Sequence, residues 1–201
     1  TGDRNVAIGY NAGSAITTGE NNTAMGYNAL ATNTVGDRNV AIGEQALVTL
    51  NPASNADTYN TAVGYAAGAA VTTGTGNTLI GSLAGDATTS AANNTAVGYN
   101  SLTTNTTGTA NVAVGKATLE SATTADGNTA VGYASQDNTT TGANNTALGR
   151  HSMDGNTTGA NNVAVGAYTL DANTTASNNT AIGKSALTAN TTGTSNVAVG
   201  Y

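Results

Sequence analysis

A five-residue phrase, Asn-Thr/Val-Ala-aliphatic-Gly, returns twelve times along this chain, and its spacing limits the fold more than any other feature. It opens at Asn5, Asn22, Asn39, Asn60, Asn77, Asn94, Asn111, Asn128, Asn145, Asn162, Asn179 and Asn196. Ten of the eleven steps are 17 residues, and the step from Asn39 to Asn60 is 21. A fixed period of this length marks a repeat architecture. The four extra residues fall near Asn51-Pro52-Ala53-Ser54, which is loop chemistry, so a short loop around 51–55 is expected to bulge from one coil. Gly, Asn and Thr are poor helix formers, and no 3.6-residue apolar pattern is sustained. Disorder would not require Ile, Val, Leu or Met at every fourth coil position, from Ile8 and Met25 to Val199. One coil holds only three or four apolar side chains, too few to offset its ordering entropy. Stacked coils share a core and succeed. The expectation is an all-β protein, a parallel β-solenoid or β-roll of about twelve 17-residue coils, a single repeat solenoid over 1–201.

Coil positions are counted from the Asn of the phrase. A strand over positions 2 to 4 puts positions 2 and 4 on one face and position 3 on the other. The aliphatic position 4 is expected to face the core, and the small alanine at position 3 to allow close approach by a second wall of the same coil or by a neighbouring chain. The glycine at position 5 is expected to turn the chain. Position 9 is usually large and apolar, as in Leu30, Leu102 and Leu119. Where it is Gly13, Gly68 or Gly85, position 12 carries Ile16, Val71 or Thr88 instead of the usual Asn. Close packing demands such an exchange, so positions 9 and 12 should both reach the interior. Gln136 with Thr139, and Leu47 with Leu50, do not follow it. The asparagines at position 1, among them Asn22, Asn94, Asn111, Asn128, Asn145, Asn162 and Asn179, suit a hydrogen-bonded ladder, or else a local turn bond. Thr-Thr at positions 13 and 14 should leave one column of each pair exposed. At strand spacing, twelve coils make a rod of roughly 55 Å.

The phrase Asn-Thr/Val-Ala-Val/Ile-Gly, followed by small and aliphatic residues, resembles the head repeat of trimeric autotransporter adhesins. The longer phrase from Asn94 to Gly108, N-T-A-V-G-Y-N-S-L-T-T-N-T-T-G, resembles repeats of tail-fibre-like proteins from phages and bacteria. The resemblance covers essentially the whole chain. It implies a left-handed β-roll packed as a parallel homotrimer, outside the cell, on a virion tail fibre or a bacterial surface. A core this thin also favours oligomerisation, with a monomeric solenoid as the alternative. The repeat is running at both ends of the sequence, so a segment of a longer fibre is expected.

Chemistry-bearing residues are sparse. Charged residues are 8% of the chain, the formal net charge is −6, and there is no Cys. Five basic residues in an acidic chain disfavour nucleic-acid binding, and no long apolar run suggests membrane insertion. His151, beside Ser152 and Asp154, reads as an ordinary surface residue. Gly183-Lys184-Ser185 lacks the glycine a phosphate loop needs. The aspartates fall at shifting coil positions, so a repeated calcium site is not expected, and no metal or other cofactor is assigned. Position 6 repeatedly carries Tyr10, Tyr27, Tyr65, Tyr99 and Tyr133, which could contact sugars or a protein receptor or simply end a strand. Nine Asn-x-Thr sequons arise, at Asn21, Asn93, Asn105, Asn138, Asn144, Asn156, Asn173, Asn178 and Asn190. The leading functional expectation is a structural or adhesive fibre segment that spaces and presents receptor-binding surfaces without catalysis. The alternatives are an ice-binding or glycan-decorated extracellular solenoid filament, and a fibre with glycosidase activity, which scattered acids disfavour.

Overall fold

The structure, a computed structural model, describes residues 2–201. The chain is all β, without helix among those residues. Every copy of the phrase forms a three-residue strand, from Val6–Ile8 and Thr23–Met25 through to Thr180–Ile182 and Val197–Val199. These twelve strands make one parallel sheet in the order of the chain. Register follows the repeat: Thr129 pairs with Val112 on one side and Thr146 on the other. The result is a parallel β-solenoid of about eleven turns. Pairing continues across the long coil, Val40 to Thr61, while Gly36–Asp37 and Ala56–Asp57 add a two-stranded ladder beside the inserted segment.

The backbone is bonded coil to coil around its whole perimeter, not only in the strands. Gly98 N donates to Ile80 O at 2.8 Å, Leu102 N to Thr118 O at 2.9 Å and Ala110 N to Ala92 O at 3.1 Å. Turning so sharply within 17 residues requires positive φ at several places. The glycine of position 5 has φ of +140° at Gly98, where a Cβ would lie 2.3 Å from the carbonyl oxygen of Gly115. Positions 7, 9 and 17 are left-handed as well, and at position 9 the residue is often leucine: Leu30, Leu47, Leu102, Leu119, Leu170 and Leu187 have φ of 48–56°.

The strand places position 4 opposite to the expectation, and of the two alternatives for position 3 it takes the second wall of the same coil. The position 3 alanines face inward, and Ala24, Ala41, Ala96, Ala113 and Ala130 are fully buried. Positions 2 and 4 face outward, and the apolar column at position 4 is half-exposed, with Met25 at 39%, Ile80 at 38% and Leu148 at 38%. The physical reason is thickness. The wall opposite the sheet brings buried leucines from position 9 close beneath the strand, leaving room there for one methyl group.

Positions 9 and 12 do share the interior. Leu50, Val71, Leu102, Leu119 and Leu170 are fully buried. The coils with glycine at position 9 explain the single departure from alanine at position 3. A Cβ on Gly68 or Gly85 would come within 2.7 Å of a Leu79 methyl, so Leu79 occupies the volume that two missing leucines leave. Polar groups at position 8 bond within the stack: the hydroxyls of Thr118 and Thr169 donate to Gly132 O and Gly183 O, each at 2.7 Å. The apolar core is interrupted once, at the coil of Gln136 and Thr139, and resumes at Ala147 and Met153.

Candidate interaction surfaces

The asparagines of position 1 form the ladder. Asn111 Oδ1 accepts the backbone N–H of Asn128 at 3.0 Å, and Asn128 Oδ1 accepts that of Asn145 at 2.9 Å. Most of the amide nitrogens also reach across their own coil, as Asn128 Nδ2 does to Gly142 O at 2.9 Å, while Asn39 Nδ2 turns to Asp37 O at 3.1 Å. Asn22, Asn94, Asn145, Asn162 and Asn179 repeat the arrangement and are buried. Between Asn39 and Asn60, Thr58 Oγ1 joins the column and donates to Asn39 Oδ1 at 2.8 Å. These side chains close the coil and present nothing to a ligand. A second buried set at position 12, unforeseen in this role, does the same over one turn: Asn105 Nδ2 donates to Gly108 O at 3.0 Å. It follows that the sequon residues Asn105, Asn156 and Asn173 are buried, whereas Asn93, Asn138, Asn144 and Asn178 are exposed.

The tyrosines are on the surface. Tyr10 is 72% exposed, and Tyr27, Tyr65, Tyr99 and Tyr133 are about half-exposed. Tyr10 and Tyr27 stack at 5.6 Å. Farther along, cations of the same column insert between rings. Lys116 Nζ lies 5.8 Å from the centroids of both Tyr99 and Tyr133, Arg150 lies over Tyr133 and Tyr168 at 5.9 and 5.5 Å, and Lys184 lies over Tyr201 at 5.5 Å. The spacing of tyrosines was visible in the sequence. The alternation with cations was also there at position 6, but its meaning required the stack.

His151 is not an isolated surface residue. Its ring stacks on Tyr168 at 5.5 Å, meets Tyr133 edge-on at 5.3 Å, and its Nδ1 lies 3.0 Å from Asp154 Oδ2. Asp154 belongs to a column that the sequence reading missed. Asp86, Glu120, Asp137, Asp154 and Asp171 all occupy position 10, the last four in consecutive coils. Thus the aspartates do not all shift in register. Burial, then the charges of Glu120 and Asp154, push the Asp137 carboxyl up from 3.8 to about 6, against a smaller opposing effect of His151. Burial and Asp154 raise Asp171 too. Among the described residues no group of three such side chains converges to ligate a metal, and no pocket is enclosed.

In the Thr-Thr pairs the position 13 hydroxyl is committed to the next coil, as in Thr106 Oγ1 to Thr123 O at 3.1 Å. Position 14, including Thr107, Thr124, Thr141 and Thr158, is exposed. No protein-family model, curated protein or solved structure matches the chain.

Proposed function

We propose that this chain is a shaft segment of an extracellular homotrimeric fibre, carried on a virion tail or a bacterial surface, that spaces and presents receptor-contacting surfaces and performs no catalysis. The observation that carries this reading is the outward apolar column at position 4. Parallel sheets are stable when both faces are covered, and a contiguous exposed apolar stripe marks an interaction surface. Here the inner face is covered by the coil's own second wall, and the outer face is free along the full sheet. Two further copies, each offering the same stripe, would cover it in a left-handed, parallel bundle of the kind the repeat resembles. The exposed Tyr10, Tyr27, Tyr65, Tyr99 and Tyr133 support contact with a cell-surface glycan or protein receptor along the shaft.

Sedimentation of the purified chain at high salt should give three times 19.5 kDa, with rods of roughly 55 Å in electron micrographs. Val114→Asp with Leu148→Asp should yield monomers that keep the β-sheet circular dichroism. A wild-type monomer would overturn the trimer, and a compact globular particle would overturn the fibre. The ice-binding alternative has less support, because one hydroxyl of each Thr pair is bonded within the stack and Val35 interrupts the other column.

A further inference from the structure

The charges of this chain are sorted along its length in two different ways. In the early coils, arginines pair with acids of the same chain: Arg4 with Glu20, and Arg38 with Asp57. In the later coils they do not. Lys116, Arg150 and Lys184 are exposed, lie in the position 6 column of the seventh, ninth and eleventh coils, and have no carboxylate partner among the described residues. Glu120, Asp137, Asp154 and Asp171 lie in the position 10 column of the seventh to tenth coils, and among the described residues no Lys or Arg lies within bonding distance of them, the one neighbouring histidine being His151 on Asp154. The two stripes are on the same surface. Arg150 covers Tyr168, Tyr168 stacks on His151, and His151 touches Asp154. The rings of Tyr168 and His151 thus lie between a stripe of cations without carboxylate partners and a stripe of acids of which one, Asp154, is met by His151.

We propose that a second copy of this chain docks side by side on this surface, parallel and in register, with Lys116, Arg150 and Lys184 of each copy set against the acidic column of the other.

Symmetry selects the orientation. A two-fold axis along the rod exchanges left and right, so the cationic stripe of one copy meets the acidic stripe of the other at the same height. A two-fold axis across the rod keeps left and right and would press cations on cations and acids on acids, which costs affinity. Asp137 holds its proton more tightly, first because it is partly buried and then because Glu120 and Asp154 lie beside it, with His151 opposing, so a cation brought by a second copy would relieve the second of these effects. This surface lies beyond the glycine turn from the apolar strand face on which the trimer depends, so it joins whatever unit that face assembles; it takes in Tyr99 and Tyr133 and leaves Tyr10, Tyr27 and Tyr65 to a receptor.

The test compares masses by sedimentation velocity in about 0.02 M and about 0.5 M salt, where screening differs severalfold. Wild type should be at least twice as heavy at low salt as at high salt: twice where the high-salt unit is a single chain, and growing with concentration where it is a trimer, which carries three such surfaces. The triple variants Lys116→Glu/Arg150→Glu/Lys184→Glu and Glu120→Lys/Asp137→Lys/Asp154→Lys should each stay at the high-salt mass. Mixed in equal amounts at low salt, they should recover the wild-type low-salt mass. Carbodiimide should link Lys116 to Glu120 and Lys184 to Asp171 between copies, read in mixed ¹⁴N/¹⁵N samples, and this readout needs no variant to fold. A wild-type mass that ignores salt, or the wild-type low-salt mass unchanged in either variant, overturns the pairing while leaving the trimer intact. Loss of binding to an anionic polysaccharide in the lysine and arginine variant, with no change in mass, would assign the stripe to a glycan and also overturn it. A monomeric base unit at high salt would remove the trimer and leave the pairing standing.

Discussion

At the scale of single residues, the recurring compromise is leucine in a left-handed backbone. Such a conformation costs about 1–2 kcal/mol for a side chain with a Cβ, and full burial of a leucine contributes about 2 kcal/mol. Leu102 and Leu119 are fully buried at φ of 56° and 52°, so burial balances the strain and the glycine alternative loses the core. Gln136 accepts the same strain, with φ of 53°, without the same return. It is fully buried between Leu119 and Met153 in its column, its Nε2 reaches Thr129 O at only 3.4 Å, and its Oε1 has no partner. A buried polar atom left unsatisfied costs roughly 1–3 kcal/mol. Gln136→Leu should therefore raise stability by about that amount, read as a higher denaturant midpoint. No gain would mean that ordered water satisfies the amide.

At the scale of the coil, side-chain volumes compensate between neighbours. Leu79 stands between the glycines of two successive coils, and its methyls lie where a Cβ on Gly68 or Gly85 would be. Leu79→Ala should cost about 2–5 kcal/mol through the cavity it opens. Gly85→Leu should also destabilise, because its Cβ would fall 2.7 Å from Leu79 Cδ2. The two together restore the ordinary coil, leucine at position 9 over alanine at position 3. The double variant should thus be more stable than either single one, a coupling measurable as a double-mutant cycle in urea. Additive losses would show that the coils do not repack as units.

At the scale of the molecule, the stack turns sequence periodicity into columns, and columns of like charge have collective consequences. Partial burial, and then the charges of Glu120 and Asp154 on either side, push the Asp137 carboxyl up to about 6, with His151 opposing. Its folded pKa lies above the ordinary 3.8, so the folded chain binds the proton more tightly than the unfolded chain. Stability should rise as pH falls through about 6, level off below the unfolded value, and be lowest at neutral and alkaline pH. Asp137→Asn should raise the thermal midpoint at pH 8 and flatten this profile. A wild-type midpoint that falls steadily between pH 7 and pH 5 would contradict the assignment. The same coil carries Gln136 and Thr139 and divides the apolar core in two, so the rod is weakest there on two independent grounds.

The sequence alone determined the repeat, and with it the class of fold. A 17-residue period with asparagine at position 1 and glycine at position 5 admits stacked coils and little else, and the exchange of Leu for Ile16, Val71 or Thr88 already located two inward positions. The tyrosine column was legible for the same reason. Which strand face lies inside was not. Alternation places positions 2 and 4 together but carries no sign, and the usual rule that large aliphatics go inward picked the wrong one. Only the distance between the two walls of the coil decided it, by leaving space at position 3 for a methyl group in most coils and for Leu79 where leucine is missing opposite. The acidic stripe escaped notice because its members are Asp and Glu interrupted by Thr103. Neighbours in a column are 17 residues apart in the chain and one strand spacing apart in space, and their interaction exists only once the coils are stacked.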